Sequence, residues 1–431
     1  MMNQPADTAP TISSPPSSPP SSPPSGSVWE VFITFLKLGL TSFGGPVAHL
    51  GYFHKELVEK RRWLSDAQYA QLLAVCQFLP GPASSQLGFA LGLTRAGWLG
   101  AISAFVAFTM PSALLLFAFA MLIGEVQSDG LSVVVDGLKL VAVVIVADAV
   151  WGMWQKLCDA RLTRAVALIV AVFLLLMPVL GYASPGWQIA AIVVAGLLGV
   201  WLRPEIPSSV AATEGLSLDY GRRLAVVFLL LFLGLLLLTL PDVRQLAAVS
   251  MAQDFYQAGA LVFGGGHVVL PLLEANTVGA GVVSADDFLA GYGAAQAVPG
   301  PLFTFAAYLG ALLPAGSTPE LQALIAIVAV FLPGFLLLLG VLPFWVQLSR
   351  YAAVRHALVT VNAAVVGLLL ATLVTPVASS AVSDLTDVLI VVLGFALLRG
   401  WGAAVGLPAL RLSPLTLVLW CVALTLLGAL L

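Results

Sequence analysis

The amino-acid sequence predicts an all-α integral membrane protein with two inverted-topology repeats. Of its 431 residues, 60% are hydrophobic and only 9% are charged. So few polar side chains cannot cover a soluble globule of this size, whereas helices that face lipid need none. A Pro-Gly-Pro break within an apolar region occurs at residues 80–82 and again at 299–301. Basic residues crowd the loop before the first break and are missing from the loop before the second, which predicts opposite orientations.

Composition also excludes several classes of protein. The net charge of -3 offers no basic surface for nucleic acid, so no nucleic-acid partner is expected. The three cysteines are far apart in apolar runs, which argues against a disulfide framework or a metal site. The sequence has no G-x-x-x-x-G-K-[ST] phosphate loop and no nucleophile–base motif. We therefore expect no enzyme activity, no cofactor and no metal.

The N-terminal tail, residues 1–27, is dominated by proline and serine. Such a composition cannot bury enough apolar area to offset the chain entropy lost on folding. The tail is therefore predicted to be disordered.

The first repeat, 28–203, begins with interrupted elements. Segment 29–43 is shorter than the roughly 20 residues a membrane span needs, so it predicts a half-helix or a re-entrant element. Segment 49–63 has apolar residues at helical spacing and predicts a helix in the membrane interface or, equally well, a solvated helix packed on the protein. The pieces 67–79 and 83–93 flank the Pro-Gly-Pro break and predict a helix-break-helix hairpin. Four ordinary hydrophobic helices are predicted at about 97–124, 131–157, 163–180 and 187–202.

The second repeat, 242–431, restarts the same plan after a linker and connecting helix, 204–241. The Phe-Gly-Gly sequence at 43–45 recurs at 263–265, ahead of the second Pro-Gly-Pro break. Two motifs in matched order, each followed by about four helices, indicate an internal duplication of about 190 residues. An odd number of spans, the four helices and the connecting helix, inverts the second repeat. Its hydrophobic helices are predicted near 320–348, 354–376, 384–400 and 415–431.

Loop charges set the orientation of each repeat, because lysine and arginine accumulate on the cytoplasmic side. The loop before the first break holds Lys55, Lys60, Arg61 and Arg62, whereas its counterpart at 274–287 has no basic residue. The basic loops at 156–164, 203–223, 350–355 and 399–411 are placed inside, and 124–130 and 377–387 outside.

The helix breaks suit an oxyanion. A helix that restarts after a break leaves its first N–H groups without partners inside the helix. These donors, nearby hydroxyls and the positive end of the helix dipole attract an anion. Glycines there let the backbone approach a ligand, or alternatively permit close helix crossing. The candidate substrate-binding residues are Gly44, Gly45, Gly81, Ser84, Ser85, Gly265, Gly266, Gly300 and Thr304.

Polar side chains inside hydrophobic segments are costly, so each is a candidate functional group. Lys37 can supply a fixed positive charge to an anion or extend to the interface. His267 can donate to an anion, change charge with pH, or stay neutral against a carbonyl. Gln77 and Gln296 are duplicated before the breaks and can bind substrate or join helices. The unduplicated Asp148 is a candidate proton-coupling group, with an ion pair to another residue as the alternative.

The motif at 43–49, Phe-Gly-Gly-Pro-Val-Ala-His, and that at 76–86, Cys-Gln-Phe-Leu-Pro-Gly-Pro-Ala-Ser-Ser-Gln, closely resemble the chromate transporter family. Second copies lie at 263–271 and 291–301. The resemblance covers residues 28–431 and is specific to the two-domain form of the family. It implies export of chromate from the cytoplasm, resistance to chromate, and sulfate as a competing anion. Because both anions are tetrahedral dianions of similar size, the choice of substrate rests on the resemblance.

The leading hypothesis is a gradient-driven oxyanion exporter in the cell membrane that moves one repeat against the other. A proton is the candidate coupling ion and a homodimer the candidate assembly. The alternatives are an uptake system for sulfate or another oxyanion, and a passive anion channel.

Overall fold

A computed structural model describes residues 26–43, 45–125, 129–182, 186–204, 221–239, 247–263, 266–314, 316–348, 351–401 and 412–430. All regular secondary structure in these ranges is helical. Apart from Gly26 and Ser27, the predicted tail lies outside the described residues, as does most of the linker before the connecting helix.

The first half runs from α1 to the connecting helix α8. Its elements are α1 (Val28–Thr41), α2 (Gly45–Phe53), a π-helical turn (His54–Lys60), α3 (Asp66–Phe78), α4 (Ala83–Glu125), α5 (Asp129–Leu157), α6 (Arg161–Val179), α7 (Gly186–Leu202) and α8 (Gly221–Leu237).

The second half begins at α9 and repeats this plan. Its α-helices are α9 (Ala247–Ala260), α10 (Val269–Thr277), α11 (Ala285–Ala297), α12 (Phe305–Leu312), α13 (Pro319–Val341), α14 (Trp345–Leu348), α15 (Ala352–Thr372), α16 (Ser379–Ala381), α17 (Leu385–Leu398) and α18 (Pro414–Leu430). The short turns are 3-10 at Gly266–Val268, Leu302–Thr304 and Leu342–Phe344, and π-helical at Leu373–Ala378.

Equivalent serines start the helix before each break. The Ser65 hydroxyl accepts a hydrogen bond from the backbone N–H of Gln68, and the Gln68 side-chain oxygen accepts one from the backbone N–H of Ser65. In the second half, Ser284 accepts the N–H of Asp287 at the start of α11. Such caps satisfy N–H groups that the first turn of a helix leaves unpaired. The duplication is therefore visible in local structure as well as in sequence.

One element of the first half differs in detail from the prediction, and another matches it. The expected continuous helix over 49–63 ends as an α-helix at Phe53 and continues as a π-helical turn. The wider turn brings three consecutive residues, 56–58, to the buried side, which the 100° steps of an α-helix do not favour. The predicted pieces 83–93 and 97–124 are confirmed as two helical parts of α4, which meet at a kink at Ala96 and Gly97.

Within the described ranges, four helical stretches are long and apolar enough to cross a membrane: Ala83–Ile123, Arg161–Val179, Pro319–Phe344 and Ala352–Ala381. Shorter apolar helices are Gly186–Leu202, Leu302–Leu312, Leu385–Leu398 and Pro414–Gly428. Helix α5 differs from these because its centre, residues 140–146, is buried inside the protein. The predicted fold class, an all-α membrane protein with two repeats, is confirmed.

Matched close crossings form the centre of the molecule. A Cβ atom on Gly39 of α1 would lie 2.7 Å from the carbonyl oxygen of Phe108 in α4. A Cβ atom on Gly259 of α9 would collide with the carbonyl oxygen of Val330 in α13. Since α1 and α9 occupy the same place in the two repeats, the same backbone contact is built twice. We call α1, α4, α9, α12 and α13 the central body.

The outer helices are exchanged between the halves. Helix α15 of the second half packs against α6 and α7 of the first, and α5 of the first packs against α17 and α18 of the second. The first packing is tight, because a Cβ atom on Gly367 would collide with the carbonyl oxygen of Ala167. The outer helices therefore form an α6–α7–α15 bundle and an α5–α17–α18 bundle, which meet where α5 contacts α15. Helix α5 also packs on α11, and neither bundle is a whole repeat.

Candidate functional site

The two Pro-Gly-Pro breaks each donate a hydrogen bond to the other half. The N–H of Gly81 donates to the carbonyl of Val262 at 2.7 Å, and the N–H of Gly300 donates to the carbonyl of Ser42 at 3.0 Å. Each acceptor lies just ahead of a glycine run, so the two bonds are equivalent under the duplication. Each break therefore lies against the segment that leads into the glycine run of the other half.

Both central glycines have backbone angles that side chains disfavour. Gly81 has φ +122° and Gly300 has φ +109°, in the left-handed range that costs other residues about 1–3 kcal/mol. A Cβ atom on Gly81 would lie 3.0 Å from the Cα of Gly334, and one on Gly300 would lie 2.7 Å from the Ser112 hydroxyl. The breaks thus need glycine for both conformation and space.

Gln86 fastens the first break to the second half. Its Nε2 donates to the carbonyl of Pro80 at 3.1 Å and to the carbonyl of Gly334 in α13 at 2.9 Å. Gln86 is fully buried, so these bonds replace those that water would make. The amide therefore fixes both the shape of the break and its distance from α13.

His49 connects the two breaks, although the sequence analysis did not select it. Its Nε2 lies 3.2 Å from the carbonyl oxygen of Ser42, and its Nδ1 lies 3.5 Å from the hydroxyl of Ser84. A carbonyl can only accept, so Nε2 carries the proton and Nδ1 accepts from the hydroxyl. The Ser42 carbonyl also accepts from Gly300. The one available sequence signal was its position four residues after a glycine pair; its full burial is a finding of the structure.

His267 faces the first glycine run. Its Nδ1 lies 2.7 Å from the hydroxyl of Tyr292. A Cβ atom on Gly45 would lie 4.0 Å from Nε2 of His267, and among the described residues it would meet nothing nearer. When Tyr292 donates to Nδ1, the remaining Nε2–H faces the open space beside Gly45. His267 and Gly45, both predicted from sequence, are thus neighbours across the two halves.

Several donors near the breaks are buried without a hydrogen-bond partner among the described residues. These atoms are Oγ of Ser42, Oγ of Ser85, Oγ1 of Thr109 and Nε2 of Gln296. A buried polar group without a partner costs about 1–3 kcal/mol, so such groups call for a ligand or water. The Thr304 hydroxyl differs, because it donates to the carbonyl of Pro301 at 2.7 Å. Among the predicted side chains, those of Ser85 and Gln296 therefore keep unused donor capacity, and the Gln296 amide lies beside the Tyr292 hydroxyl.

Other predicted residues lie apart from this cluster. Lys37 is exposed, and its ammonium lies 3.6 Å from the carboxylate of Glu56. Gln77 is exposed, in contrast to its half-buried duplicate Gln296. Asp148 forms an ion pair at 3.2 Å with Arg399, the residue that follows α17. Gly44 and Gly265 lie outside the described residues, and Gly266 begins the turn that carries His267.

The Glu56 carboxylate is the centre of an ion-pair cluster before the first break. Lys60 and Arg61 donate to it at 3.2 Å and 3.1 Å. Burial alone would raise the pKa of this carboxyl, but the bonds from Arg61 and Lys60 and the charge of Lys37 hold it below its usual value. Lys37 is therefore committed to Glu56 in this structure.

We expect Gln86→Leu to destabilise the protein by about 1–3 kcal/mol, because it removes two buried hydrogen bonds, to the carbonyls of Pro80 and Gly334. Gln77→Leu is the matched control, since this motif glutamine is exposed and its replacement should change stability by less than about 0.5 kcal/mol. Thermal unfolding of the purified proteins in detergent measures both. Equal stability of the two variants would contradict the bridging role of Gln86.

Comparison with known proteins decides the family. The family model described as chromate transporter matches residues 29–200 and 249–428, which is most of the chain. The chain belongs to the chromate transporter family. This is a family of membrane transporters, so the protein is a multi-pass transporter and not an enzyme. The two matched regions also confirm the internal duplication.

Individual relatives cover most of the chain at modest identity. A chromate transport protein of Pseudomonas aeruginosa is 29% identical over 326 residues, which is 71% of this chain and 70% of that protein. A chromate transport protein of Cupriavidus metallidurans is 28% identical over 382 residues, covering 86% and 87%. An uncharacterized transporter of Methanocaldococcus jannaschii is 25% identical over 352 residues, covering 80% and 83%. No solved structure matches the chain.

Proposed function

We propose that the protein is a secondary active transporter that exports chromate from the cytoplasm and thereby confers resistance to chromate. The observation that carries this proposal is the meeting of both helix breaks with buried, unpartnered donors. The domains are proposed as a tail (1–27), a first repeat (28–203), a linker with its helix (204–241) and a second repeat (242–431). The site combines the sequence-predicted residues with His49.

Neutral donors suit the reversible binding of a dianion. Helix starts after each break carry partial positive charge, and backbone N–H and hydroxyl groups can surround tetrahedral oxygens. The Ser85 hydroxyl, the Gln296 amide and the Nε2–H of His267 are the side-chain donors with free capacity. A site without a bound lysine holds the anion less tightly, which favours its release on the far side. Lys37, held by Glu56, is proposed to act on the approach of the anion.

Alternating access is proposed to move the exchanged bundles against the central body. The close contacts at Gly39 and Gly259 tie α1 to α4 and α9 to α13. The α6–α7–α15 bundle is equally tight, since Gly367 meets the backbone of α6. Because packed units move as wholes, the hinge lies between the bundles and the central body. We therefore propose motion of the bundles against the central body, where the sequence hypothesis had one repeat moving against the other.

A passive anion channel is the second candidate, because the membrane potential by itself can drive a dianion out of the cell. An interior-negative potential expels a dianion with about 4.6 kcal/mol per 100 mV, at about 2.3 kcal/mol for each charge. Export alone therefore does not need a coupling ion. Uptake of sulfate or another oxyanion is the third candidate and requires coupling, because the anion then moves against this potential. A proton is the proposed coupling ion and a homodimer the proposed assembly.

The deciding experiment compares chromate accumulation in cells with and without the protein. We expect lower intracellular chromate when the protein is present in the membrane, and growth at higher external chromate. Sulfate accumulation in the same cells tests uptake, which would raise the intracellular anion. Unchanged chromate with confirmed membrane expression would remove the chromate assignment.

Proteoliposomes separate a transporter from a channel. With the membrane potential clamped at zero, we expect chromate flux that saturates with concentration and depends on a counter-ion gradient. Flux that rises linearly and ignores every ion gradient would identify a channel.

A further inference from the structure

A cavity of about 310 Å³ lies where α10 faces the α6–α7–α15 bundle, away from the helix breaks. Its walls come from the end of α6, the start of α7 and the end of α15, and are mostly apolar. The loop charges place these ends of the helices on the outer side of the membrane. The cavity therefore lies at the boundary between α10, which follows the second glycine run in the sequence, and a unit proposed to move.

One carboxyl group, that of Glu274, lines this cavity. Within the described part of the chain, its side chain forms no hydrogen bond and no ion pair. Burial raises the pKa of Glu274 to about 7, because an apolar surrounding disfavours the charged form. Below that pH the carboxyl is neutral and fits the cavity, and above it a charge must be hydrated there.

The first half also has a carboxyl group in the corresponding segment, but its surroundings are different. Glu56 lies in the corresponding segment, between the first glycine run and the helix before the first break. Lys37, Lys60 and Arg61 surround it and keep it ionised. The two halves therefore differ: one carboxylate lies in a cation cluster on the inner side, and the other carboxyl, on the outer side, has no counter-charge among the described residues. Only the outer one can change its charge near neutral pH.

Other titratable groups on the elements packed against α10 do not compensate Glu274. Tyr182 lines the same cavity, and His267 on the preceding turn is bonded to Tyr292. Asp254 of α9 does not line the cavity. Arg355 and His356 lie at the other end of α15 from the cavity-lining residues.

We propose that Glu274 is the proton-binding group that couples chromate export to proton entry. A proton from the outer solution binds the carboxylate, and the neutral carboxyl lets the apolar walls of the cavity close. Movement of the bundle then exposes Glu274 to the inner side, where the carboxyl releases its proton to the cytoplasm, and the recharged carboxylate returns to a hydrated state when the outer cavity reopens. The inference rests on the proposed function, and it assigns coupling to Glu274 in place of Asp148, whose charge Arg399 already balances.

The test uses the full-length protein in proteoliposomes at zero membrane potential. We expect a pH gradient to stimulate chromate flux by the wild type. Glu274→Gln should lose this stimulation and retain exchange of chromate for chromate, which needs no net proton movement. Asp148→Asn should retain the stimulation and serves as the comparison. Stimulation retained by Glu274→Gln, or lost only in Asp148→Asn, would overturn the proposal.

A second measurement does not depend on transport. A hydrophobic carbodiimide reacts with protonated carboxyl groups, so it should modify Glu274 in the wild type at pH 6 and much less at pH 9. Glu56, which is ion-paired, is the internal control and should stay unmodified. Peptide mass spectrometry measures both, and failure to modify Glu274 at pH 6 would also overturn the proposal. Absence of all chromate flux in the wild type would instead contradict the proposed function.

Discussion

Gly81→Leu and Gly300→Leu are each expected to abolish transport while the protein still inserts in the membrane. The new side chain at Gly81 would meet the backbone of Gly334, and that at Gly300 would meet Ser112. Both positions also have φ values that leucine disfavours. Because each glycine donates to the opposite half, either change displaces a helix start from the proposed site. Chromate flux and the amount of membrane-inserted protein are the measurements.

Gly234→Leu is the matched control, because a Cβ atom at this position in α8 meets nothing within 4 Å among the described residues. It should keep flux near the wild-type level. Gly81→Ala and Gly300→Ala separate local strain from bulk, since they add one methyl group at the same positive φ. They are expected to retain partial flux. Wild-type flux in both leucine variants would remove the breaks from the transport site.

Gly259→Leu and Gly39→Leu are expected to lower the yield of folded protein, unlike the variants at the helix breaks, which should still insert. At each position the side chain would enter the backbone of the helix it crosses, α13 or α4. Overpacking of this kind costs about 1–3 kcal/mol, and a collision with backbone cannot be relieved by a change of rotamer. The fraction of monodisperse protein after detergent extraction measures the effect.

Gly152→Leu is a suitable control for this second prediction. Gly152 lies in α5, and a Cβ atom there has open space among the described residues. The duplication adds an internal check, because Gly39 and Gly259 occupy the same place in the two repeats and should fail in the same way. Normal yield of both leucine variants would show that the helices do not cross as closely as the structure has them.

At the helix breaks, the sequence predicted which residues form the site but not which residues they contact. It predicted that Gly81, Gly300 and Gly45 belong to one region, and that His267 lies nearby. It did not predict the partners, because the bond from Gln86 to Gly334 joins residues 248 positions apart. His49 was missed for a similar reason: only its two contacts distinguish it from an ordinary buried histidine.

For the charged candidates, the sequence selected residues that the structure places in ion pairs away from the helix breaks. Lys37 and Asp148 were singled out because ionisable groups are costly in an apolar segment. Such a group can be balanced by an ion pair as well as by function, and the structure gives them Glu56 and Arg399 as partners. Glu274 was not singled out, because the sequence shows it only as an acidic residue in the loop at 274–287. Its burial in an apolar cavity depends on the helices that pack around it.

The sequence by itself determined the class of this protein. Hydrophobic content fixed the membrane location, and matched motifs fixed the duplication and the helix breaks, because these properties are written in local composition and order. The tertiary structure alone decided that the two breaks pair across the halves, that the outer helices are exchanged, and that none of the described residues gives Glu274 a counter-charge. Those outcomes depend on which distant segments pack together, and a one-dimensional pattern of apolar helices is compatible with many packings.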